Sequence, residues 1–412
     1  MTVLTGKLSK RPFMVAPETQ RVMQALLRDG GDARFVGGCV RDALANRRVM
    51  DIDIATPLKP EEVTERMLKD GIHVVPTGLK HGTVTAVADG QPFEITTLRR
   101  DVASYGRHAD VVFTDDWKAD AARRDFTINA MSSTLDGDIY DYFSGMEDLR
   151  NGHIVFVGDA ETRVREDILR ILRYFRFYAH FGKGDPDEAA LAACAKLADK
   201  LPILSGERVR NEILKLLESR RCAEVWQLMA QNRVVTHFLP EATGIATLSR
   251  LVQLEEAYHS PGFVMRRLLA VLDVTVEGLM KVIQALRLSN EQGGHLLTMF
   301  EPGYDVTTQM TQEETHRVVY QLGNDVVRSL LLLRAAREGQ DHNLQNVFQW
   351  ATAFRPPRFP LVGQDVLDIG YGSGPEVGRI LEEMEHWWIN ADFEPGRTSC
   401  LMKLKGDYAK KA

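Results

Sequence analysis

The chain has 412 residues, enough for roughly two to four domains, and its 44% hydrophobic and 26% charged residues are typical of a globular protein. Its net charge of −6 provides no general attraction to nucleic acid, so binding RNA would require local positive charge. No apolar stretch approaches the ~20 residues of a membrane span, and the N-terminus lacks a secretory signal. Four cysteines without a CxxC pair argue against a disulfide framework or a zinc site and indicate a reducing, cytoplasmic setting.

The first part of the chain mixes helix and strand patterns. Residues 17–29 predict a helix ended by glycine, and ARFVGG predicts a short strand that leads into a helix near Cys39. The alternation in DIDIAT is typical of a strand, and residues 60–70 predict a further helix. Helices interleaved with short strands indicate an α+β domain.

Two more strands and a polar segment follow. GTVTAVAD and PFEITTL alternate in hydrophobicity and flank Asp89-Gly90, a dipeptide typical of a tight hairpin. Residues 100–118 are polar and rich in turn formers, which predicts a long loop. Long loops inside compact domains are usually functional or disordered.

Helical periodicity dominates from about Asp159 onward, beginning with TRVREDILRILRYFRFYAHF and ERVRNEILKLLES. The main domain boundary is predicted at residues 151–160. The sequence therefore predicts an α+β domain with a mixed sheet, followed by an all-helical remainder.

A pair of carboxylates marks the start of the predicted strand DIDIAT. Residues two apart in a strand face the same side, so Asp51 and Asp53 point one way, with Ile52 packed behind them. Two carboxylates aimed at one point repel each other unless a cation lies between them, and oxygen-only ligands suit Mg²⁺. Glu94, on another predicted strand, is a third acidic candidate. Alone, a DxD sequence is more often just a polar strand end.

The residues before this pair change that interpretation. Gly37-Gly38 follows a predicted strand and opens a helix, and such a turn lets backbone N–H groups approach a phosphate. Arg41 comes just after. A glycine pair, an arginine and a DxD ten residues further on together indicate a triphosphate site beside metal-binding carboxylates.

These residues resemble a known family. GGCVRDALANRRVMDID resembles the signature of polymerase-β-type nucleotidyltransferases, and more narrowly that of the bacterial class II CCA-adding tRNA nucleotidyltransferase and poly(A) polymerase family. RRDFTINAM, residues 123–131, resembles the second motif of this family, and residues 166–170 resemble its EDxxR motif. Ile168 departs from the pattern, because many members have proline there.

The resemblance implies a nucleotidyltransferase head over residues 1–155, a helical neck and body over 156–245, and a helical body and tail over 246–412. It implies addition of C, C and A to the 3′ end of tRNA from CTP and ATP, with Mg²⁺ as cofactor and pyrophosphate released. The implied catalytic residues are Asp51, Asp53 and Glu94, of which Asp51 and Asp53 hold the metal. The implied nucleotide-binding residues are Gly37, Gly38, Arg41, Arg124, Asp125, Asn129, Asp167, Arg170, Arg173 and Arg176.

The EDxxR segment offers a way to choose bases without a template. On one predicted helix, Asp167 and Arg170 share a face, where the carboxylate accepts hydrogen bonds and the guanidinium donates them. Cytosine and adenine each present an amino donor beside a ring-nitrogen acceptor, whereas uracil and guanine do not. An ordinary intrahelical salt bridge is the alternative, but the resemblance implies that the pair selects the base.

Other functions remain open at this stage. Poly(A) polymerase activity shares the same motifs, although Arg107 and His108 in the predicted loop resemble the flexible element of full CCA-adding enzymes. Residues 365–378, DVLDIGYGSGPEVG, superficially resemble a methyltransferase motif for S-adenosylmethionine, but too few residues follow for that fold. A non-catalytic RNA-binding protein would gain nothing from clustered acids beside RNA phosphates.

Overall fold

A computed structural model of the chain describes residues 4–78, 82–105, 108–339 and 342–408. The chain divides into two compact units, Met1–Pro240 and Glu241–Ala412. Every strand among the described residues belongs to the first unit.

The strands of the first unit form one mixed sheet and one separate hairpin. They are β1 (Leu4–Lys7), β2 (Arg34–Val36), β3 (Asp53–Thr56), β4 (His73–Gly78), β5 (Thr83–Ala88), β6 (Gln91–Thr97), β7 (Arg99–Tyr105), β8 (His108–Phe113), β9 (Ser132–Ser133) and β10 (Asp138–Tyr140). The large sheet has the order β1-β10-β9-β2-β3-β6-β5-β4, in which β3 and β6 are parallel and the other neighbours antiparallel. The predicted mixed sheet is confirmed.

Helices cover the sheet of the first unit and continue beyond it. They are α1 (Pro12–Val15), α2 (Pro17–Leu27), α3 (Gly38–Leu44), α4 (Pro60–Lys69), α5 (Trp117–Ala122), α6 (Gly145–Asn151), α7 (Ala160–Glu166), α8 (Arg170–Phe181), α9 (Glu188–Leu197), α10 (Gly206–Leu217) and α11 (Cys222–Gln231). Short 3₁₀ turns lie at Arg28–Gly30, Thr127–Asn129, Ala198–Ile203 and Val235–His237. The apolar faces of α2, α3 and α4 pack with β2, β3, β5 and β6 in one core.

The described part of the second unit is helical. Its helices are α12 (Ile245–Ala257), α13 (Val264–Val271), α14 (Val276–Ala285), α15 (Asn290–Phe300), α16 (Gln312–Leu322), α17 (Asn324–Glu338), α18 (Leu344–Ala353), α19 (Gly363–Leu367), α20 (Pro375–Asn390) and α21 (Arg397–Tyr408). The residues that resembled a methyltransferase motif begin within α19, whereas that motif requires a strand. The methyltransferase alternative is therefore wrong.

The hairpin turn at Asp89-Gly90 is confirmed. β5 ends at Ala88 and β6 begins at Gln91, and the two residues between them have φ +50° and +83°. Positive φ at both positions is the geometry that matches the twist of a two-residue hairpin. This turn brings β6 back beside β5, so that β6 can pair with β3.

The prediction of a long loop at residues 100–118 is wrong. Most of this segment forms the antiparallel hairpin of β7 and β8, with Tyr105 opposite His108 and a register shift between Asp101 and Ala103. The two strands form a sheet of their own, separate from the large sheet. Gly106 and Arg107 lie outside the described residues, as does the side chain of His108.

Candidate active site

The turn between β2 and α3 requires glycine at its first position. Gly37 has φ +68°, in the left-handed region that residues with a Cβ atom rarely adopt. A Cβ atom there would also lie 2.9 Å from Nη1 of Arg124 and 4.0 Å from Oδ2 of Asp53. At Gly38 the nearest group to a Cβ atom would be Nη2 of Arg41, at 3.7 Å. The turn thus brings bare backbone against an arginine and a carboxylate.

The acidic residues lie on two neighbouring strands. As predicted, the DxD sequence stands at the start of a strand: β3 begins at Asp53, and Asp51 lies in the bend before it. Ile52, between them, is 7% exposed. Asp53 lies opposite Glu94 of the parallel strand β6, and the N–H of Glu94 donates to the Ile52 carbonyl at 3.3 Å. The sheet therefore places the Asp53 and Glu94 positions side by side.

These carboxylates repel one another. Burial raises the pKa of Asp53 to about 6, and the charges of Glu94 and Asp51 add to the rise, while Arg124 and Arg41 oppose it. A cation would relieve this repulsion, because it favours the ionised form of each carboxylate. Among the described residues, no three or more His, Cys, Asp and Glu side chains are grouped as a metal site.

A chain of hydrogen bonds joins Arg41 to Arg173. Nη1 of Arg41 donates to Oδ1 of Asn129 at 2.7 Å, and Nδ2 of Asn129 donates to Oδ1 of Asp125 at 3.0 Å. Oδ2 of Asp125 accepts from Nε of Arg173 at 2.7 Å. Burial alone would raise the pKa of Asp125, but Arg173 and Asn129 bring it down to about 2. Asp125 is therefore ionised at neutral pH and holds both groups in place.

Arg176 lies one turn further along α8, and its partner was not predicted. Nε of Arg176 donates to Oε2 of Glu212 at 2.5 Å, and Nη1 of Arg173 lies 3.8 Å from Oε1 of Glu212. Glu212 is 7% exposed. It lies on the apolar face of α10, between Val209 and Leu216, and a carboxylate on a buried face needs a cationic partner. A glutamate on an otherwise apolar helix face was therefore the feature of the sequence that could have predicted this ion pair.

Phe177 lies among three of the site's arginines. The guanidinium carbons of Arg41, Arg173 and Arg176 lie 5.0, 5.4 and 4.2 Å from its ring centroid. Attraction between cations and the ring face partly offsets the repulsion among the three like charges. The ring therefore helps to keep three cations on one side of α8.

Asp167 and Arg170 are arranged differently from the prediction. α7 ends at Glu166 and α8 begins at Arg170, while Asp167 between them is extended, with φ −152° and ψ 108°. The prediction that both residues lie on one helix face is therefore wrong. Oδ1 of Asp167 accepts from the N–H of Leu169 at 3.1 Å, a local bond by which aspartate competes with helix continuation.

Each residue of this pair has another partner. Oδ2 of Asp167 accepts from Nη2 of Arg208, in α10, at 2.7 Å. Nη1 of Arg170 donates to Oε2 of Glu166. The salt bridge considered as the alternative is not formed between these described residues. Arg208 and Glu166, which the sequence did not single out, therefore orient the two groups.

Arg124 has a buried partner as well. Nη2 of Arg124 donates to Oδ2 of Asp120, in α5, at 3.2 Å, and Nε of Arg123 donates to Oδ1 of the same carboxylate at 2.8 Å. Asp120 is 3% exposed and was not predicted. The candidate site thus includes buried carboxylates that bind arginines, besides Asp51 and Asp53 at the start of β3.

Two family models match the part of the chain that contains this site. Residues 33–155 match the family described as "Poly A polymerase head domain", and residues 185–245 match "Probable RNA and SrmB- binding site of polymerase A". Together with the sheet and the DxD strand, these matches indicate a nucleotidyltransferase.

Similarity extends along nearly the whole chain. It is 34% identical over 380 residues to "CCA tRNA nucleotidyltransferase 1, mitochondrial" of Danio rerio, covering 90% of this chain and 87% of that protein. It is 32% identical over 383 residues to the CCA-adding enzyme of Streptococcus sanguinis (strain SK36), covering 90% and 92%. The crystal structure of the Bacillus stearothermophilus CCA-adding enzyme in complex with CTP matches with a TM-score of 0.73 and 28% identity over 97% of this chain and 98% of that one. The chain belongs to the CCA-adding tRNA nucleotidyltransferase family, as predicted.

Two further observations bear on its setting. The first is that, within the part of the chain that the structure describes, no helix has both the length and the apolar content needed to cross a membrane. The four cysteines, all of them described, are buried, and none forms a disulfide. Enzymes of this family depend in general on a divalent metal ion.

Proposed function

We propose that this chain adds C, C and A to the 3′ end of tRNA without a template, using CTP and ATP and releasing pyrophosphate. The observation that carries the proposal is the meeting, within the first unit, of the Gly37 turn, the Asp53–Glu94 strand pair and the hydrogen-bonded chain from Arg41 to Arg173. A transferase acting on nucleoside triphosphates needs all three: room for phosphate, acidic metal ligands and fixed positive charge.

The phosphates of the incoming nucleotide are assigned to the glycine turn and the arginines. Arginine suits this role because its planar guanidinium donates two parallel hydrogen bonds to phosphate oxygens. The proposed phosphate-binding residues are Gly37, Gly38, Arg41, Arg124, Arg173 and Arg176. Asp125 and Asn129 are assigned to the ribose or to shaping the site, since both are buried and already hold arginines in position.

Asp51 and Asp53 would hold Mg²⁺, with Glu94 beside them. The donor set fits this ion, because Mg²⁺ often binds through one or two carboxylates together with phosphate oxygens. The raised pKa of Asp53, caused by burial and by neighbouring carboxylates, also fits a position that a cation stabilises. When bound, Mg²⁺ lowers the pKa of the RNA 3′ hydroxyl and neutralises charge on the leaving pyrophosphate.

Asp167 and Arg170 are assigned to base selection. Asp167 lies in the break between α7 and α8, and Arg170 is the first residue of α8. Arg208 binds Asp167 and Glu166 binds Arg170, which fixes one side of each group. Asp167 then accepts from the exocyclic amino group of C or A, while Arg170 donates to the ring nitrogen. With uracil or guanine, the acceptor Asp167 would face another acceptor and the donor Arg170 would face another donor. Each group left unpaired in this way costs about 1–3 kcal/mol.

The remaining helices are assigned to RNA. We place the chemistry in residues 1–155, nucleotide selection and RNA contacts in 156–245, and tRNA binding in 246–412. The net charge of −6 means that this binding must come from local basic surfaces. Four cysteines that form no disulfide support a reducing, cytoplasmic setting.

The test uses tRNA that lacks its CCA end, with CTP, ATP, GTP and UTP supplied singly and together. CTP alone should extend the RNA by two residues, and CTP with ATP by three. Intact tRNA is the matched control and should not be extended. Long A tails on unstructured RNA would instead indicate the alternative, poly(A) polymerase, and no incorporation at all would refute both.

A further inference from the structure

Asp120 connects two parts of the first unit that sequence motifs treat separately. Its Oδ1 accepts from the N–H of Arg99, the first residue of β7, at 3.2 Å and from Nε of Arg123 at 2.8 Å. Its Oδ2 accepts from Nη2 of Arg124 at 3.2 Å. One carboxylate, 3% exposed, therefore holds the start of the β7–β8 hairpin and an arginine of the candidate site.

The two terminal nitrogens of Arg124 have different surroundings. Nη2 is bound to Asp120, whereas Nη1 lies 2.9 Å from where a Cβ atom of Gly37 would be. Because the guanidinium is planar, holding one nitrogen fixes the direction of the other. Oδ2 of Asp53 lies 4.0 Å from the same Cβ position, so without Asp120 the guanidinium would be within reach of that carboxylate.

We propose that Asp120 is a positioning residue, which keeps Arg124 directed at the Gly37 turn and away from Asp53, so that Arg124 is free to meet the triphosphate. The role rests on the proposed function, because it presumes a nucleotide at that turn. Burial alone would raise the pKa of Asp120, but Arg123 and Arg124 lower it, so the carboxylate is ionised at neutral pH.

The first test is Asp120→Asn, which keeps the shape of the side chain and removes its charge. The Kd of CTP with Mg²⁺, measured by calorimetry, should rise about tenfold, the order expected when a charge-assisted hydrogen bond loses its geometry. The Kd of tRNA should not change. An unchanged Kd of CTP would overturn the positioning role.

A double-mutant cycle separates positioning from general support of the fold. If Asp120 acts through Arg124, then Asp120→Asn should cause no further loss of CTP affinity in a chain that already carries Arg124→Gln. If the two substitutions weaken CTP binding independently, so that their fold-changes in Kd multiply in the double variant, the proposal is overturned. Arg123→Gln is the matched control, since it breaks the other ion pair of Asp120 and should lower Tm without changing the Kd of CTP.

Arg124→Lys provides a second variant in case Asp120→Asn does not fold. Lysine keeps the positive charge but lacks two separate terminal nitrogens, so the Kd of CTP should again rise about tenfold. An unchanged Kd would contradict the proposal. A wild-type chain that binds CTP but adds nothing to tRNA would refute the proposed function, whereas normal wild-type transfer with unaffected variants would refute the positioning role alone.

Discussion

At the scale of single residues, buried carboxylates in this site pair with arginines. They hold the arginines in position for a proposed substrate of high negative charge. Asp125 and Glu212 are both less than a tenth exposed, and each binds at least one arginine. Breaking such a buried pair is costly, because the remaining charge is left without a partner. Asp53 on β3 differs, since burial and repulsion from neighbouring carboxylates raise its pKa instead of lowering it.

That difference predicts opposite effects on activity and stability at the acidic pair. Asp53→Asn should reduce transfer to tRNA more than about a hundredfold, because it removes a metal ligand. In metal-free buffer its Tm should be unchanged or higher, because a buried, repelled charge is gone. Labelled tRNA and thermal unfolding measure the two effects, and near-normal turnover with Mg²⁺ would rule out Asp53 as a metal ligand.

A second residue-scale prediction concerns base choice. Arg170→Ala should reduce discrimination of CTP and ATP against UTP by about tenfold or more, since a donor to the ring nitrogen is lost. Binding of the triphosphate should change less, because Arg173 and Arg176 remain. Competition between labelled CTP and UTP measures this, and Arg165→Ala, an exposed arginine on α7, is the control. Unchanged discrimination would leave Arg170 as a structural partner of Glu166.

Those parts of the candidate site that depend on residue type and local motif could be predicted from the sequence. The glycine turn and the strand position of DxD follow from local patterns. The partners do not, because they come from distant parts of the chain: Arg41 and Asn129 are 88 residues apart, and Asp167 and Arg208 are 41 apart. Glu212 left a signal on the apolar face of its helix, whereas Asp120 left none that we recognise.

At the scale of elements, the break between α7 and α8 shows where periodicity misleads. The apolar spacing continues through residues 162–181, so a single helix was predicted. Instead, Asp167 is extended, which is the conformation favoured before a proline. The EDxxR pattern that the sequence resembles, with proline at the position of Ile168, was thus a sign of the break. The hairpin of β7 and β8 was missed for the converse reason, because its polar composition resembles that of a loop.

Ile168→Pro should therefore be tolerated. Proline reduces the conformational freedom of the unfolded chain, and at a compatible position it raises the free energy of unfolding by about 0.4–1 kcal/mol. In a continuous helix the same change would cost about 3 kcal/mol. Urea unfolding distinguishes the two, with Arg165→Pro, inside α7, as the destabilised control. A loss of similar size at Ile168 would contradict the helix break.

The hairpin carries a prediction of its own. Adding C twice and then A requires one pocket to accept a larger base at the last step, which a mobile element could achieve by re-aiming Asp167 and Arg170. Replacing residues 101–111 with a short glycine–serine linker should spare C addition and impair A addition. End-labelled tRNA resolved at single-nucleotide length should show a stall after the second C. Equal slowing of all three addition steps would count against this role of the hairpin. Normal products would show that the hairpin takes no part in the change from C to A.

At the scale of the whole molecule, the proposed chemistry and much of the proposed RNA-binding surface belong to different units of the chain. Every proposed nucleotide-binding residue lies within Met1–Pro240, and the described part of Glu241–Ala412 is helical. The two fold classes could be predicted because each has its own periodicity. Periodicity alone does not predict where the units separate, because helical spacing is the same on both sides of residue 240, whereas the family resemblance implied a boundary between residues 245 and 246.

Residues 1–240 should therefore fold alone and bind CTP with a Kd within about twofold of that of the full chain, since every proposed nucleotide-binding residue lies within them. The fragment should bind tRNA at least about tenfold more weakly, because it lacks the phosphate contacts assigned to 246–412. Calorimetry with CTP and filter binding with tRNA measure both, and residues 241–412 are the control that should not bind CTP. Full tRNA affinity in the fragment would remove the RNA-binding role from the second unit. A tenfold loss of CTP affinity would show that the second unit contributes to the nucleotide site.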